Sequence, residues 1–128
     1  GAQDYYGILR LTDGFIGTSG DYQKYFIKDD VRYHHLIDPQ TGYPAQSGLR
    51  AVTVVAKSGA EADAYSTALF VMGLQKGIEC YNERKDFEAI FVTSDKQVYI
   101  TPGMQDMFDY QGDQDGYSFA GVAGKQGN

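Results

Sequence analysis

Two segments of this 128-residue chain combine residue types that could bind a small ligand or a metal ion. The first, residues 33–45, has the sequence YHHLIDPQTGYPA. Pro39 holds Asp38 extended, so that its carboxylate is exposed where a strand ends. Thr41 precedes a glycine that lets the backbone approach a ligand closely. A rigid loop of this composition is typical of a small-ligand site, but the same residues fit equally well a turn in which Asp38 caps backbone amides.

The first segment also contains two adjacent histidines, His34 and His35, within a strand-like run. Neighbouring side chains of a strand point to opposite faces, so only one of the two can face a site beside the loop. A histidine pair in a strand can equally be structural or face solvent. The strand pattern alone does not choose between these alternatives.

The second segment, residues 60–73, reads AEADAYSTALFVMG and predicts a helix. Asp63 and Thr67 are four residues apart, so they lie one turn apart on one helical face. A carboxylate and a hydroxyl at this spacing could share Mg²⁺, which prefers oxygen ligands. We expect Asp63 in the first turn, near the positive end of the helix dipole. In the alternative interpretation, Asp63 only stabilises the helix start and Thr67 bonds back to a carbonyl of its own helix.

The elements that must position these residues follow from the hydrophobic pattern and the turn residues. Strands are predicted at residues 7–12, 15–19, 22–27, 31–37, 49–57, 87–93 and 97–101. Helices are predicted at residues 60–72, ended by Gly73, and at residues 75–84. The order predicts an α+β fold, with a mostly antiparallel sheet and two helices on one face.

Turn chemistry and apolar content refine this expectation. The dipeptide Asp13-Gly14 predicts a hairpin between the first two strands, and the next two strands should form a second hairpin. The strand at 49–57 has no breaker and should be covered on both faces. Residues 1–110 are expected to form one domain, followed by a polar, glycine-rich and loosely ordered tail at 111–128.

Composition narrows the possible partners. The net charge is −6, and the 11 lysines and arginines are scattered, so nucleic acid is not an expected partner. No apolar run approaches the ~18 residues of a membrane span. The single cysteine, Cys80, excludes an internal disulfide and is expected to be a small buried side chain.

Taken together, the segments resemble the ApbE family, the FAD:protein FMN transferases. The family's His-hydrophobic-hydrophobic-Asp-Pro-x-Thr-Gly-x-Pro loop matches residues 35–44, and its valine-rich strand matches 51–56. Its helix start, Ala-Asp-Ala-x-Ser-Thr-Ala, matches 62–68, and its Thr-Ser-Gly-Asp-Tyr strand end matches 18–22. Four blocks in the family's order between residues 14 and 73 make the resemblance specific.

The resemblance implies a role for each matched residue. Asp63 and Thr67 would bind Mg²⁺, helped by a backbone carbonyl near Ala60, just before the helix. His35 would be the histidine near the FAD pyrophosphate, acting in binding or in catalysis. Asp38 and Thr41 would shape that pocket, and Ser19, Gly20 and Asp21 would lie near it.

The resemblance also implies a fold and an activity. The chain is expected to be the C-terminal portion of a T-fold-like domain that transfers FMN from FAD to a threonine or serine hydroxyl of an acceptor protein, releasing AMP. Two alternatives stay open: a Mg²⁺-dependent FAD pyrophosphatase that yields FMN and AMP, and a non-catalytic flavin-binding or interaction domain. Family members are longer, and their N-terminal half would be needed for a full site. They are typically exported and often lipid-anchored, which implies an extracytoplasmic location.

Overall fold

A computed structural model describes residues 5–20, 22–37 and 47–124 of the chain. These residues form two β-sheets and a pair of helices. The strands are β1 (Tyr5–Leu11), β2 (Phe15–Ser19), β3 (Tyr22–Lys28), β4 (Val31–Ile37), β5 (Leu49–Ala56), β6 (Glu88–Thr93), β7 (Gln97–Ile100), β8 (Phe108–Tyr110) and β9 (Ser118–Val122). The helices are α1 (Gly59–Met72) and α2 (Leu74–Arg84), and short 3-10 turns lie at Pro102–Met104 and Asp113–Asp115.

The strands divide between a four-stranded sheet, in the order β3-β4-β1-β8, and a five-stranded sheet, in the order β2-β5-β6-β7-β9. Neighbouring strands pair antiparallel except for β7 and β9, which pair parallel. One apolar cluster fills the space between the sheets, and a second lies between the five-stranded sheet and the helices. The predicted α+β class, with mostly antiparallel strands and two helices on one face, is therefore confirmed.

Strand β5 contributes to both clusters. Ala51 and Val55 belong to the cluster between the sheets, whereas Val52 and Val54 belong to the cluster under the helices. Alternate side chains of a strand point to opposite faces, so each face of β5 is covered by a different layer. The prediction that this strand is covered on both faces is confirmed.

The predicted hairpin around Asp13-Gly14 is wrong. β1 pairs with β4 and β8 in one sheet, whereas β2 pairs with β5 in the other. The chain does turn here, since Gly14 has a φ of 103°, but the turn carries the chain from one sheet to the other. Leu9 and Ile16 thereby face the same inter-sheet cluster, and this burial outweighs the local preference of the dipeptide for a hairpin.

The second predicted hairpin, β3–β4, is confirmed. Asp29 and Asp30 form its two-residue loop, with φ values of 55° and 66°. Positive φ at both loop residues gives a turn whose twist matches that of the flanking strands.

The residues after 110 take part in the fold as far as residue 124, contrary to the prediction of a loosely ordered tail. Tyr117 is 3% exposed and belongs to the cluster between the sheets, where its ring lies 5.3 Å from that of Tyr6. Strand β9 then pairs with β7. A few apolar side chains spaced among glycines suffice to anchor this segment, although its average composition is polar.

Helix α1 begins and ends at residues that cap it. The Ser58 side chain accepts a hydrogen bond from the Glu61 N–H at 3.1 Å, which satisfies one of the donors left free at a helix start. Gly73, with a φ of 91°, ends the helix. Neither α1 nor any other helix in the described part of the chain is long and apolar enough to cross a membrane.

Candidate functional site

Helix α1 packs directly on strand β2 through small side chains. Its buried residues Ala62, Ser66 and Leu69 recur at helical spacing and face the five-stranded sheet. Opposite them lies Gly17 of β2, where an added Cβ would stand only 2.4 Å from the Ala62 carbonyl oxygen. A glycine at this position therefore allows the strand and the helix to approach to backbone contact.

A short hydrogen-bond chain links the end of β2 to α1. The Ser19 hydroxyl donates to the Ser66 hydroxyl at 3.3 Å, and Ser66 donates to the Asp63 carbonyl oxygen at 3.0 Å. Ser19 was predicted to lie near the site, and this chain brings it to the helix that carries Asp63 and Thr67. Ser66 is not among the residues that the sequence predicts for the site. Its position four residues after Ala62, on the apolar face of the helix, is the signal that could have revealed a buried polar contact.

Gly20 makes the chain turn sharply after Ser19. Its φ is 87°, and an added Cβ would stand 2.2 Å from the Arg50 carbonyl oxygen. Both conditions favour glycine, since other residues rarely adopt this φ and no side chain would fit. This turn directs the chain from the five-stranded sheet, where β2 ends, to β3 in the other sheet.

Asp63 and Thr67 are both exposed on α1, one turn apart. Because Ser58 caps the helix and α1 begins at Gly59, the acidic residue of the first turn is Glu61. The prediction that Asp63 lies in the first turn is therefore wrong. Ala60 lies inside the helix, not just before it, on the same face as Asp63 and Thr67 by its spacing.

The arrangement of oxygen atoms on α1 fits a partial site for a hard cation. Among the described residues, no hydrogen bond or ion pair engages the Asp63 carboxylate or the Thr67 hydroxyl. Both are ligand types that Mg²⁺ accepts. Within residues 5–20, 22–37 and 47–124, no group of three or more His, Cys, Asp or Glu side chains is placed to hold a metal ion. The remaining ligands of a Mg²⁺ ion on α1 would be water, backbone or phosphate oxygens, as is usual for this ion.

The two neighbouring histidines face opposite sides of β4, as strand alternation predicts. His34 is 3% exposed, its Nδ1 is hydrogen-bonded to the Gln23 side-chain oxygen, and its ring stacks 5.3 Å from that of Tyr25. Among the residues that the structure describes, its Nε2 has no hydrogen-bond partner. Burial, followed by the nearby charge of Arg32, lowers the pKa of His34 from 6.5 to about 4. His34 is therefore a neutral, structural histidine at pH 7.

His35 lies on the other face of β4 and is partly exposed. Its ring contacts the ring of Phe26 edge to face, at a centroid distance of 5.7 Å. Of the two histidines, His35 is the one that a ligand could reach.

The predicted site residues are thus distributed over both sheets. Ser19 contacts α1, whereas His35 lies on β4 of the four-stranded sheet. Along the chain the turn after Ser19 links the two regions, since β3 begins opposite Ile37 of β4. Leu36 of β4 belongs to the cluster between the sheets, so the neighbouring His35 lies on the face of β4 turned away from the five-stranded sheet. The other predicted residues, Asp21, Asp38 and Thr41, lie outside the described residues.

Two packed sheets under a helical layer, with an aspartate and a threonine one turn apart on that layer, define an α+β domain with a candidate cation site. Residues 1–91 match the sequence profile of the ApbE family. This stretch is well over half of the 128 residues, and it includes all four motif blocks. The chain belongs to the ApbE family.

Individual relatives agree with this assignment. The chain is 37% identical to an FAD:protein FMN transferase of Klebsiella pneumoniae over 78% of its own length and 32% of that protein. It is 38% identical to an FAD:protein FMN transferase of Treponema pallidum over 77% of its length and 27% of that protein. The crystal structure of the ApbE protein of Thermotoga maritima matches with a TM-score of 0.53 and 37% identity, over 77% of this chain and 32% of that one. The chain thus spans about a third of the length of these relatives.

Proposed function

We propose that this chain is part of a Mg²⁺-dependent enzyme that transfers FMN from FAD to a threonine or serine hydroxyl of an acceptor protein and releases AMP. Membership of the ApbE family and the names of the relatives support flavin transfer. The structural observation that carries the proposal is the Ser19–Ser66–Asp63 hydrogen-bond chain. It joins two motif blocks, distant in sequence, beside the oxygen atoms that would hold the cation.

The proposed reaction is a displacement at phosphorus. The acceptor hydroxyl oxygen forms a bond to the phosphorus on the FMN side of the FAD pyrophosphate. The bond from that phosphorus to the bridging oxygen breaks, and AMP leaves with the electron pair. The hydroxyl proton passes to a base. Such reactions depend mainly on positioning and on neutralisation of phosphate charge, and a bound Mg²⁺ would supply the neutralisation in a chain whose own net charge is −6.

Each residue of the proposed site has a distinct task. Asp63 and Thr67 would hold the cation at the outer face of α1, and Ser66 would fix the Asp63 backbone relative to Ser19. His35 would either hydrogen-bond the pyrophosphate or accept the proton of the attacking hydroxyl, since an imidazole can do both near neutral pH. Asp38, Thr41, Gly20 and Asp21 would shape the pocket.

The proposed site extends beyond these residues. The chain spans about a third of the relatives, so we propose that contacts to the adenine and the isoalloxazine come from regions outside the matched stretch. We propose FAD and the acceptor protein as the two partners of the complete enzyme.

Replacement of Asp63 by alanine tests the proposal. The complete enzyme that contains this chain is incubated with FAD, Mg²⁺ and a threonine-containing acceptor peptide, and covalent FMN is measured by mass spectrometry. We expect Asp63→Ala to lower transfer by about 10²-fold or more because phosphate charge is no longer neutralised, and to weaken Mg²⁺ binding in a titration. The exposed side chain is not part of either apolar cluster, so the fold should persist. Glu61→Ala, an acidic residue on the same helix, is the matched control and should retain transfer.

The products separate the proposal from its alternatives. If FMN and AMP form without a peptide adduct, the activity is that of an FAD pyrophosphatase and not of a transferase. FAD binding with neither product would indicate a non-catalytic flavin-binding domain. Full transfer by Asp63→Ala at limiting Mg²⁺ would refute the role of Asp63.

A further inference from the structure

Strand β3 is an exposed edge that presents apolar side chains to solvent. Among the described strands, β4 is its only neighbour, and the two pair along all of β3 without a register shift. Three consecutive residues of β3, namely Tyr25, Phe26 and Ile27, are 62%, 50% and 63% exposed. A long, regular edge without a proline or a bulge is a template for pairing with another strand.

The exposed rings of β3 are held in place. Tyr25 stacks on His34 at 5.3 Å, and Phe26 stacks on Tyr33 at 5.2 Å with their planes 14° apart. The binding of a partner over these rings therefore costs little side-chain entropy on the β3 side, because the rings are already ordered. The edge is a preformed platform.

Charge and spacing on one face of β3 indicate the chemistry of the partner. Lys24, Phe26 and Lys28 alternate along the strand and so share a face. In a strand laid beside β3, every second side chain would also point to this face. Such a strand would complement this face with a carboxylate opposite each lysine and an apolar side chain beside Phe26.

The edge is continuous with the candidate site. β3 begins two residues after Gly20, and Lys24 is the register partner of His35 on β4. A strand added to β3 would lie two inter-strand spacings, about 10 Å, from β4. In the added strand, the side chain of a residue near Lys24 would then extend toward the face of the sheet that carries His35.

We propose that β3 is the docking edge for the acceptor, which binds as an added strand through an extended acid–apolar–acid pattern, with the hydroxyl residue beyond the acid opposite Lys24. This inference rests on the proposed function, since it names how the acceptor of that reaction is recognised. Main-chain hydrogen bonds supply affinity in this mode of recognition, and alternate side chains supply specificity.

The test uses a fluorescent peptide with aspartates on both sides of a leucine at alternate positions, followed by a threonine. Its binding to the chain is measured by anisotropy. We expect the double variant Lys24→Glu, Lys28→Glu to bind at least fivefold more weakly, because attraction becomes repulsion at two sites. A peptide with lysines in place of the aspartates should bind this variant and not the original chain.

Backbone pairing is tested with two N-methylated forms of the peptide. Alternate amides of an added strand point toward β3 or away from it, so methylation of one alternate set should abolish binding while methylation of the other set leaves it unchanged. Equal effects of the two sets, or no effect of the lysine variant, would overturn the docking edge.

Other outcomes separate this inference from the proposed function. Unchanged flavin transfer in the lysine double variant would overturn the docking edge and leave the transferase intact. Peptide binding that obeys the expected pattern without flavin transfer to its threonine would overturn the assignment of the peptide as acceptor. A dimer of the chain that dissociates in the double variant without peptide, measured by light scattering, would make β3 an interface between copies.

Discussion

Acidification should destabilise the fold through His34. Burial and the charge of Arg32 lower the pKa of this imidazole from 6.5 to about 4, so the unfolded chain binds a proton between these pH values and the folded chain does not. Stability rises with pH wherever the unfolded state binds more protons. The contribution of neutral His34 is therefore fully present above pH 6.5 and is lost as the pH falls toward 4. The pKa difference corresponds to about 3 kcal/mol.

The assay is urea unfolding of the original chain and of His34→Leu at pH 7, 6, 5 and 4. Carboxylates also titrate at the acid end, so the informative quantity is the difference in pH dependence between the two proteins. We expect the original chain to lose about 3 kcal/mol more than His34→Leu across this range. Arg32→Gln should give an intermediate loss, because removal of the cation raises the pKa of His34 and brings it closer to the unfolded value.

An identical pH dependence in the original chain and in His34→Leu would refute this reasoning. It would mean that His34 is as accessible to protons in the folded chain as in the unfolded one. The NMR titration of the His34 ring, assigned through the loss of its signal in His34→Leu, gives an independent reading of the pKa.

Three further predictions concern packing and catalysis. In a urea titration, Gly17→Ala should lower the free energy of unfolding by about 1–3 kcal/mol, because the new methyl group meets the α1 backbone. The control is Gly59→Ala, whose methyl group would meet only a ring edge at 3.8 Å. This control should be neutral or slightly stabilising in the same titration. Ser66→Ala should cost about 1–2 kcal/mol by thermal or urea unfolding, since it removes a buried hydroxyl that both accepts and donates a hydrogen bond. His35→Ala should lower the transfer rate by about 10²-fold or more if the imidazole is the base, or weaken FAD affinity if it binds the pyrophosphate. His34→Ala should change transfer much less when assayed at pH 7 on folded protein, and equal losses in the two variants would contradict the assignment.

Local sequence features predicted most of the elements. The run at residues 31–37 is a strand with the predicted bounds, and α1 begins one residue before its predicted start. These agreements have a local cause, because β-branched and alternating residues favour strands while alanines and caps favour a helix. The spacing of Asp63 and Thr67 is likewise a property of any helix, so their shared face needed no tertiary information.

The pairing of strands could not be read from local signals. The turn at Asp13-Gly14 occurs, yet it separates β1 and β2 into different sheets, because the burial of Leu9 and Ile16 between the sheets depends on residues far along the chain. For the same reason, local composition predicts a polar tail at residues 111–128, although Tyr117 belongs to the cluster between the sheets. Its partner in the core, Tyr6, is more than a hundred residues away in sequence, and no local window contains both.

Sequence alone determined the family, the four motif blocks and the alternation that separates His34 from His35. Only the tertiary structure decided which histidine is buried, because that depends on which face of β4 the other sheet covers. Only the tertiary structure, too, revealed the link between Ser19 and Ser66, which are 47 residues apart. Periodicity specifies the face of an element on which a side chain lies, whereas the layer packed against that face is set by the whole chain.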